Sequence, residues 1–298
     1  MASLLSRLAP IVITLRGTKR LLSSPHRTLA RITQLREHPE PYEPPRSLSK
    51  KVDVSLSVIG DWPVYEIAPK GTPADNRALY LHGGCYVFEI DPLHWSLVAA
   101  LATQASARIT VPIMPLAPQG TASSVVPAVA DLAASLIDEV GADRVSILGD
   151  SSGGGMALAV ALELLERGLP PVKATILSAP WLDITCTDPM IDVIAPNDPW
   201  LAAPGLKAAG ALYCAALSED DRRVSPLFGS LVGLGPITMF SGTRDILNAD
   251  ARRLLPLAEA AGIAVDYHEG EGMIHNYAIL PTPEGRVAQH IMVAAMTR

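Results

Sequence analysis

A glycine-rich segment, Gly149-Asp150-Ser151-Ser152-Gly153, constrains this chain more than any other stretch. It follows the apolar run 145–148 and precedes a long apolar stretch, a pattern that predicts a strand, a tight turn and a helix. In the spacing G-x-S-x-G, the flanking glycines avoid a clash with a serine held in a strained turn. The turn would place the Ser151 hydroxyl at a helix N-terminus, which favours developing negative charge. The segment therefore predicts Ser151 as a nucleophile, and the alternative is a glycine-rich turn without chemistry.

A serine nucleophile needs a base and an acid that orients the base, and candidates for both follow it in the chain. Asp245 comes after the predicted strand 237–241, and His275 lies in a loop after the last predicted strand. Such loops let a rigid sheet aim side chains. By themselves, the two residues are equally typical of a capping aspartate and a surface histidine. Other carboxylates and histidines fall within predicted helices or strands: Asp250, Asp266 and His268.

An alkoxide that forms during acyl transfer also needs backbone N–H groups aimed at it. The residue after the nucleophile, Ser152, is one predicted donor. Gly83 and Gly84 follow another predicted strand, and their missing side chains would let the backbone approach a substrate. Without the serine segment, these glycines would be interpreted as an ordinary turn.

The composition predicts a folded protein with a large core. Of 298 residues, 49% are hydrophobic and 18% charged, enough for one large α/β domain or two small ones. The net charge of −6 argues against a nucleic-acid binder. Three widely spaced cysteines favour neither a disulfide framework nor a zinc site, and they suit a reducing cytoplasm: Cys85, Cys186 and Cys214.

Eight strand-like segments, most of them separated by helical patterns, predict a mostly parallel sheet covered by helices on both faces. They are 52–59, 62–67, 77–81, 108–111, 145–148, 174–177, 237–241 and 264–268. Residues 1–40 have the pattern of two helical pieces that are broken near Ser23-Ser24-Pro25. Residues 183–221 carry helical stretches without a strand pattern, which indicates an insertion.

The N-terminal region is basic. The first 51 residues hold ten Lys or Arg and three Glu, which motivates the hypothesis of peripheral contact with anionic lipid. The alternative is a solvated helical segment. Residues 1–16 faintly match a signal peptide, but Arg7 and Pro10 interrupt the apolar part. We therefore expect this segment to belong to the folded, cytoplasmic protein.

Several motifs together resemble the hormone-sensitive-lipase family of α/β-hydrolase esterases over residues 52–298. The segment His82-Gly83-Gly84-Cys85-Tyr86 resembles the family's HGGG motif, and Gly149 to Gly154 resembles its GDSAGG elbow. Further matching segments are Pro115-Leu116-Ala117-Pro118 with Pro127, Ala128 and Asp131, then Ser225-Pro226-Leu227, Asp245-Ile246-Leu247 and His275-Asn276-Tyr277.

The resemblance implies a single α/β-hydrolase domain, 1–298, with an eight-stranded sheet and a helical cap from about 1–45 and 183–221. It implies a carboxylic-ester hydrolase that needs no metal or organic cofactor and acts on small-molecule esters with short to medium acyl chains. By position, Ser151 would be the nucleophile, His275 the general base and then acid, and Asp245 the orienting acid. Gly83, Gly84 and Ser152 would supply oxyanion N–H groups.

Two features of the sequence bear on the pocket. Cys85 replaces the third glycine of the HGGG motif, and we expect a small buried side chain there rather than a reactive thiol. The candidates for substrate contact could equally be core residues: Tyr86, Trp181, Leu182, Trp200 and Leu201.

The sequence is also compatible with functions other than an esterase. A lipase, lactonase or amidase could use the same triad, because the shape of the pocket selects the leaving group. A non-catalytic ligand-binding receptor is a rival from another class, and loss of the triad histidine would be its sign, whereas His275 is present. Homodimers are frequent among similar enzymes, and no sequence feature tests this for the chain.

Overall fold

A computed structural model describes residues 3–298, and within them eight strands form one sheet in the order β1-β2-β4-β3-β5-β6-β7-β8. β1 and β2 pair antiparallel, as do β2 and β4, and all the other pairs are parallel. The strands are β1 (Val52–Ile59), β2 (Trp62–Pro69), β3 (Asn76–Leu81), β4 (Ala107–Pro112), β5 (Val145–Asp150), β6 (Ala174–Ser178), β7 (Ile237–Arg244) and β8 (Val265–Ile274). The predicted mostly parallel, eight-stranded sheet is confirmed.

Ten α-helices accompany the sheet within residues 3–298. They are α1 (Leu4–Arg16), α2 (Thr18–Leu22), α3 (Pro25–Glu37), α4 (Pro92–Gln104), α5 (Ala122–Val140), α6 (Ser152–Glu166), α7 (Pro189–Ile194), α8 (Ala203–Cys214), α9 (Asn248–Ala260) and α10 (Pro283–Thr297). α4 and α10 contribute to one hydrophobic core, and α5, α6 and α9 contribute to a second. Apolar side chains of the sheet alternate between the two cores, as expected for a sheet that is buried on both faces.

The N-terminal region contains three helices, whereas the sequence pattern predicted two pieces. The break near Ser24 and Pro25 is confirmed, because Ser24 caps α3 and Pro25 occupies its first turn. A further break occurs at Gly17, whose φ of 76° places it in the left-handed region that ends α1.

The two segments predicted to form a cap are in contact. α2 and α3 pack against α8, where a Cβ on Gly205 would lie 2.5 Å from the Leu22 backbone. This close approach explains why glycine occupies that position. The predicted segment 1–45 begins at Met1, and Met1 and Ala2 lie outside the described residues. The assignment of these segments as a cap stays a prediction.

No helix in the part of the chain from residue 3 onward is both long and apolar enough to cross a bilayer.

The topology brings three loops to one edge of the sheet. β5, β7 and β8 run parallel, with β6 between the first two, so their carboxyl ends lie side by side. These are the strands that precede Ser151, Asp245 and His275. In parallel α/β sheets this edge is where ligands bind.

Candidate active site

Ser151 occupies a strained turn between β5 and α6. Its φ of 54° and ψ of −123° lie outside the regions that residues with a side chain ordinarily adopt. Its N–H donates to the Ser178 carbonyl at 2.8 Å, and its carbonyl accepts from the Trp181 N–H at 2.9 Å. These bonds to the chain around β6 hold the turn in place.

The glycines on either side of Ser151 allow close backbone approach. A Cβ on Gly149 would lie 2.1 Å from the Gly153 carbonyl oxygen, and a Cβ on Gly153 would lie 2.1 Å from that of Leu81. Both contacts would be with backbone, which cannot swing aside. The glycine requirement inferred from the spacing is therefore met in the structure.

Gly153→Ala is expected to destabilise the protein by about 3 kcal/mol or more, because the new methyl group overlaps the backbone of β3. Gly168→Ala is the matched control: Gly168 has a φ of 75° and open space around it. Its substitution should cost only about 1 kcal/mol of backbone strain. Urea denaturation of both variants measures the difference, and equal costs would contradict the close approach.

Ser151, His275 and Asp245 form a continuous hydrogen-bonded chain. The Ser151 Oγ lies 3.0 Å from His275 Nε2, and His275 Nδ1 lies 2.8 Å from Asp245 Oδ2. The second oxygen of Asp245 accepts from the Leu247 N–H at 2.9 Å. All three side chains are buried. A proton can therefore pass from the serine to the imidazole while the carboxylate holds the ring.

The rival residues lie elsewhere. Asp250, in α9, accepts from Arg253 at 2.8 Å. Asp266 and His268 pair with each other on β8, with their side chains partly exposed. None of the three contacts Ser151. The structure therefore brings together Ser151, His275 and Asp245, the residues indicated by their positions after strands, and not these rivals.

The pKa of His275 lies above its ordinary value of 6.5. Burial alone would lower it by penalising the charged imidazolium, but the adjacent Asp245 carboxylate outweighs this effect. The carboxylates of Asp198 and Asp150 act in the same direction. The ring consequently gains a proton more readily than free histidine does.

With His275 acting as the base for Ser151, the kcat/KM for a neutral ester is expected to rise with pH through a midpoint above 6.5, because only a neutral imidazole can accept the serine proton. A raised pKa keeps the ring protonated to higher pH and so moves the acid limb of the profile upward. Initial rates across a buffer series at constant ionic strength measure this midpoint. A midpoint below 6.5 would contradict the role of neighbouring carboxylates.

Asp150 connects three loops of the site, a role that the sequence analysis missed. Its fully buried carboxylate accepts from the Gly83 N–H at 3.1 Å, from Tyr80 Oη at 2.5 Å and from Asn276 Nδ2 at 2.8 Å. His94 Nε2 lies 3.4 Å away. The residue before the nucleophile is thereby tied to the glycine loop and to the residue after His275.

The charge on Asp150 is stabilised by its neighbours. Burial alone would raise the pKa of this carboxyl, but His94 and the hydrogen bonds outweigh burial and lower the pKa to about 2. The carboxyl is consequently ionised at neutral pH. An ionised, fully bonded carboxylate is suited to holding loops in one arrangement.

The N–H groups of the glycine loop differ in their availability. The Gly83 N–H already donates to Asp150, so it is turned toward that carboxylate. Among residues 3–298, the N–H groups of Gly84, Cys85 and Ser152 have no hydrogen-bond acceptor. Of the three predicted oxyanion donors, Gly84 and Ser152 are thus unengaged, and the Cys85 N–H is a donor that the sequence analysis did not consider.

The loop geometry explains its glycines and the setting of Cys85. A Cβ on Gly84, whose φ is 129°, would lie 2.3 Å from the Phe88 carbonyl oxygen. Cys85 has a φ of 55°, a left-handed conformation that glycine adopts most easily. Burial raises the pKa of the Cys85 thiol to about 12. Cys85 is buried, as predicted, and its raised pKa keeps the thiol protonated at neutral pH.

Three residues predicted to contact substrate lie mainly in the core. The Tyr86 ring stacks on Tyr213 at 3.7 Å between centroids and on Trp181 at 5.5 Å. Trp181 and Leu182 are enclosed, with at most 1% exposure. Core packing, the alternative left open by the sequence, therefore describes Trp181 and Leu182. Tyr86 also borders a cavity of about 20 Å³ beside Ser152.

A larger cavity, of about 580 Å³, borders Asn276, the residue after His275. Trp200 lines it, and its ring meets the His275 imidazole edge-on at 5.5 Å. Its other lining residues come from α1, from the start of α4 and from the loop after His275. Leu201, the remaining pocket candidate, is buried.

Asp198 positions the loop that carries Trp200. Its carboxylate accepts from the N–H groups of Trp200 and Leu201 at 2.7 and 2.9 Å, and from that of Ile246 at 2.9 Å. Ile246 directly follows Asp245. The buried side chain of Asp198 therefore connects the cavity wall at Trp200 to the loop that carries Asp245. No sequence pattern indicated this role.

A sequence model of the alpha/beta hydrolase fold matches residues 78–279. A triacylglycerol lipase from Mycobacterium tuberculosis is 32% identical over 238 residues, covering 78% of this chain and 49% of that protein. The chain thus spans about half the length of that relative. An esterase from Acinetobacter venetianus is 30% identical over 222 residues, covering 72% of each chain.

Solved structures agree with these sequence relatives. An esterase from the bacterial hormone-sensitive lipase family superposes with a TM-score of 0.82 at 24% identity, covering 100% of this chain and 99% of that one. At this identity, the likeness shows a shared fold. The family model over residues 78–279, together with the esterase and lipase relatives, shows that the chain belongs to the α/β-hydrolase family, and it shares the fold of an esterase from the hormone-sensitive lipase family.

Proposed function

We propose that the protein is a serine carboxylesterase that hydrolyses short- to medium-chain carboxylic esters through an acyl-enzyme. The hydrogen-bonded chain from Ser151 Oγ through His275 to Asp245, with links of 3.0 and 2.8 Å, carries this proposal. A serine, an imidazole and a carboxylate in that order are the groups that acyl transfer requires.

The reaction follows from the roles of these three groups. Ser151 Oγ attacks the ester carbonyl carbon while His275 Nε2 takes the hydroxyl proton. The imidazolium, stabilised by Asp245, then gives this proton to the departing alkoxide, and the alcohol leaves. A water molecule, deprotonated by the same nitrogen, attacks the acyl-enzyme and releases the acid with Ser151 restored.

Backbone N–H groups stabilise the tetrahedral intermediates. The donors we assign are those of Gly84, Cys85 and Ser152, since each lacks a partner in the described chain. Ser152 also begins α6, so the positive end of that helix faces the developing charge. A buried site strengthens such interactions because water does not screen them.

The cavity beside Asn276 is the space we assign to the larger part of the ester. Its volume of about 580 Å³ and its largely aliphatic lining suit a short or medium hydrocarbon chain. In the proposal, the segments 1–45 and 183–221 form the cap over it, since α1 and Trp200 supply part of the wall.

Hydrolysis of p-nitrophenyl esters from acetate to palmitate tests the proposal. We expect kcat/KM to peak among the short and medium chains. A peak at palmitate would favour a lipase instead, which is what the Mycobacterium relative is named. Turnover of a lactone or an anilide, but of no open ester, would favour the alternative leaving groups.

Covalent labelling separates a narrow substrate range from a lost activity. A fluorescent alkyl phosphonate should attach to Ser151, as seen by peptide mass spectrometry. If neither labelling nor ester hydrolysis occurs, the esterase proposal is wrong, and a non-catalytic ligand-binding protein becomes the better hypothesis.

A further inference from the structure

Helix α1 carries a large exposed apolar face. Its members are between 45% and 82% exposed: Leu4, Leu5, Leu8, Ile11, Val12 and Leu15. At about 100° per residue, these positions share one side of the helix, and Pro10 and Ile13 on the opposite side are buried. A contiguous exposed apolar patch of this kind marks an interaction surface.

Positive charge borders this face. On the same helical projection, Arg7 lies at one edge of the apolar stripe and Arg16 at the other, and both are exposed. The first 36 residues contain seven Lys or Arg and no Asp or Glu, although the whole chain has a net charge of −6. The helix is therefore a cationic, apolar element on an acidic protein.

The inner side of α1 is already docked, so the apolar face is not available to this chain's own core. Ser3 Oγ and Ser6 Oγ donate to Glu284 at 2.7 and 2.6 Å, and Ile13 packs with Ile274 and Leu280. These contacts orient the stripe outward. Its exposure is therefore a property of the folded protein.

The face is continuous with the cavity beside Asn276. Leu5, Leu8 and Val12 belong to the apolar face and also line that cavity. Leu4, Ile11 and Leu15 do not line the cavity and form a separate outer row. A surface that covers the outer row would therefore lie next to the space we assign to substrate.

We propose that the outer face of α1 docks this protein on an anionic lipid surface. The helix has 13 residues, about 20 Å of length, which suits lying in the interfacial plane with apolar side chains inserted and arginines at the phosphates. Docking of α1 against α1 of a second copy would instead bring two cationic segments together. This inference does not depend on hydrolysis.

Vesicle sedimentation with the full chain carrying Ser151→Ala tests the proposal without turnover. We expect binding to phosphatidylcholine vesicles that contain phosphatidylglycerol, and at least tenfold weaker binding to phosphatidylcholine alone. The triple variant Leu4→Gln/Ile11→Gln/Leu15→Gln should bind the anionic vesicles at least tenfold more weakly. A matched control places the same change at three other exposed residues, Val193→Gln/Val232→Gln/Val287→Gln, and should bind normally.

Two readouts separate docking from a damaged fold. In a chain that keeps Ser151, the outer-row variant should have a melting temperature within about 2 °C of wild type. It should also hydrolyse a soluble short ester within twofold of wild type, since the substituted side chains do not line the cavity. Raising the salt concentration should weaken binding to the anionic vesicles.

The proposal is overturned if the protein binds neither vesicle type, or if the outer-row and control variants bind the anionic vesicles with equal affinity. Equal binding to both vesicle types would refute the recognition of anionic lipid. Sedimentation velocity tests the remaining alternative. If the wild type and the control variant are dimers and the outer-row variant is a monomer, the face binds a second copy instead.

Discussion

Ser151→Ala is expected to lower kcat/KM for a p-nitrophenyl ester by about 10⁴-fold or more. Without Oγ there is no atom to form the acyl-enzyme, and the remaining N–H donors polarise the ester without a positioned nucleophile. The fold should survive, since the hydrogen bonds that hold the turn use the Ser151 backbone. Circular dichroism and thermal unfolding check that the variant is folded, and steady-state kinetics measures the loss.

Ser152→Ala is the matched control. It removes a hydroxyl one residue from the nucleophile, which accepts a 3.3 Å hydrogen bond from the Tyr86 N–H. It keeps the Ser152 backbone N–H that we assign to the oxyanion. We expect it to retain activity within about tenfold of wild type. Substantial esterase activity in Ser151→Ala, or a larger loss in Ser152→Ala, would refute the assignment of the nucleophile.

Asp150→Ala is expected to lower the free energy of unfolding by about 3–5 kcal/mol. The change leaves three buried donors, from Tyr80, Gly83 and Asn276, without a hydrogen-bond acceptor. It also removes the carboxylate that faces His94. Buried groups left without a partner bear their full desolvation penalty. Urea denaturation at neutral pH measures the loss.

Two comparisons sharpen the test of Asp150. Asp61→Ala removes an exposed carboxylate and should change stability by less than about 0.5 kcal/mol. The advantage of wild type over Asp150→Ala should hold above pH 4 and fade as pH falls toward 2, because the pKa of Asp150 is lowered to about 2 in the folded protein. An Asp150→Ala protein as stable as the Asp61 variant would refute the network.

Asp150→Ala should also lower kcat/KM, because Asp150 ties the loop with the oxyanion donors to the loop that carries His275. Asp150→Asn keeps one oxygen for Gly83 and Tyr80 but loses the charge. We therefore expect this variant to lie between wild type and Asp150→Ala in both stability and activity.

Much of the fold followed from local sequence signals. The eight strand-like segments and the helical patterns between most of them depend on local periodicity and composition, and the strands of the structure lie at those segments. The spacing around Ser151 required glycines for a steric reason, and the structure shows the backbone contacts that a Cβ would meet. The sequence indicates Asp245 and His275 because each lies in a loop after a predicted strand, where a rigid sheet can aim side chains.

Which distant groups meet depends on the three-dimensional fold. Asp150 bonds residues that lie 67 and 126 positions away, so no local pattern could predict that the Gly83 N–H is engaged. Packing against α8 placed Tyr86 and Trp181 in an aromatic stack. The outward face of α1 was likewise set by which side met Glu284 and Ile274. Periodicity determines that a helix has two faces, but long-range contacts determine which face is buried.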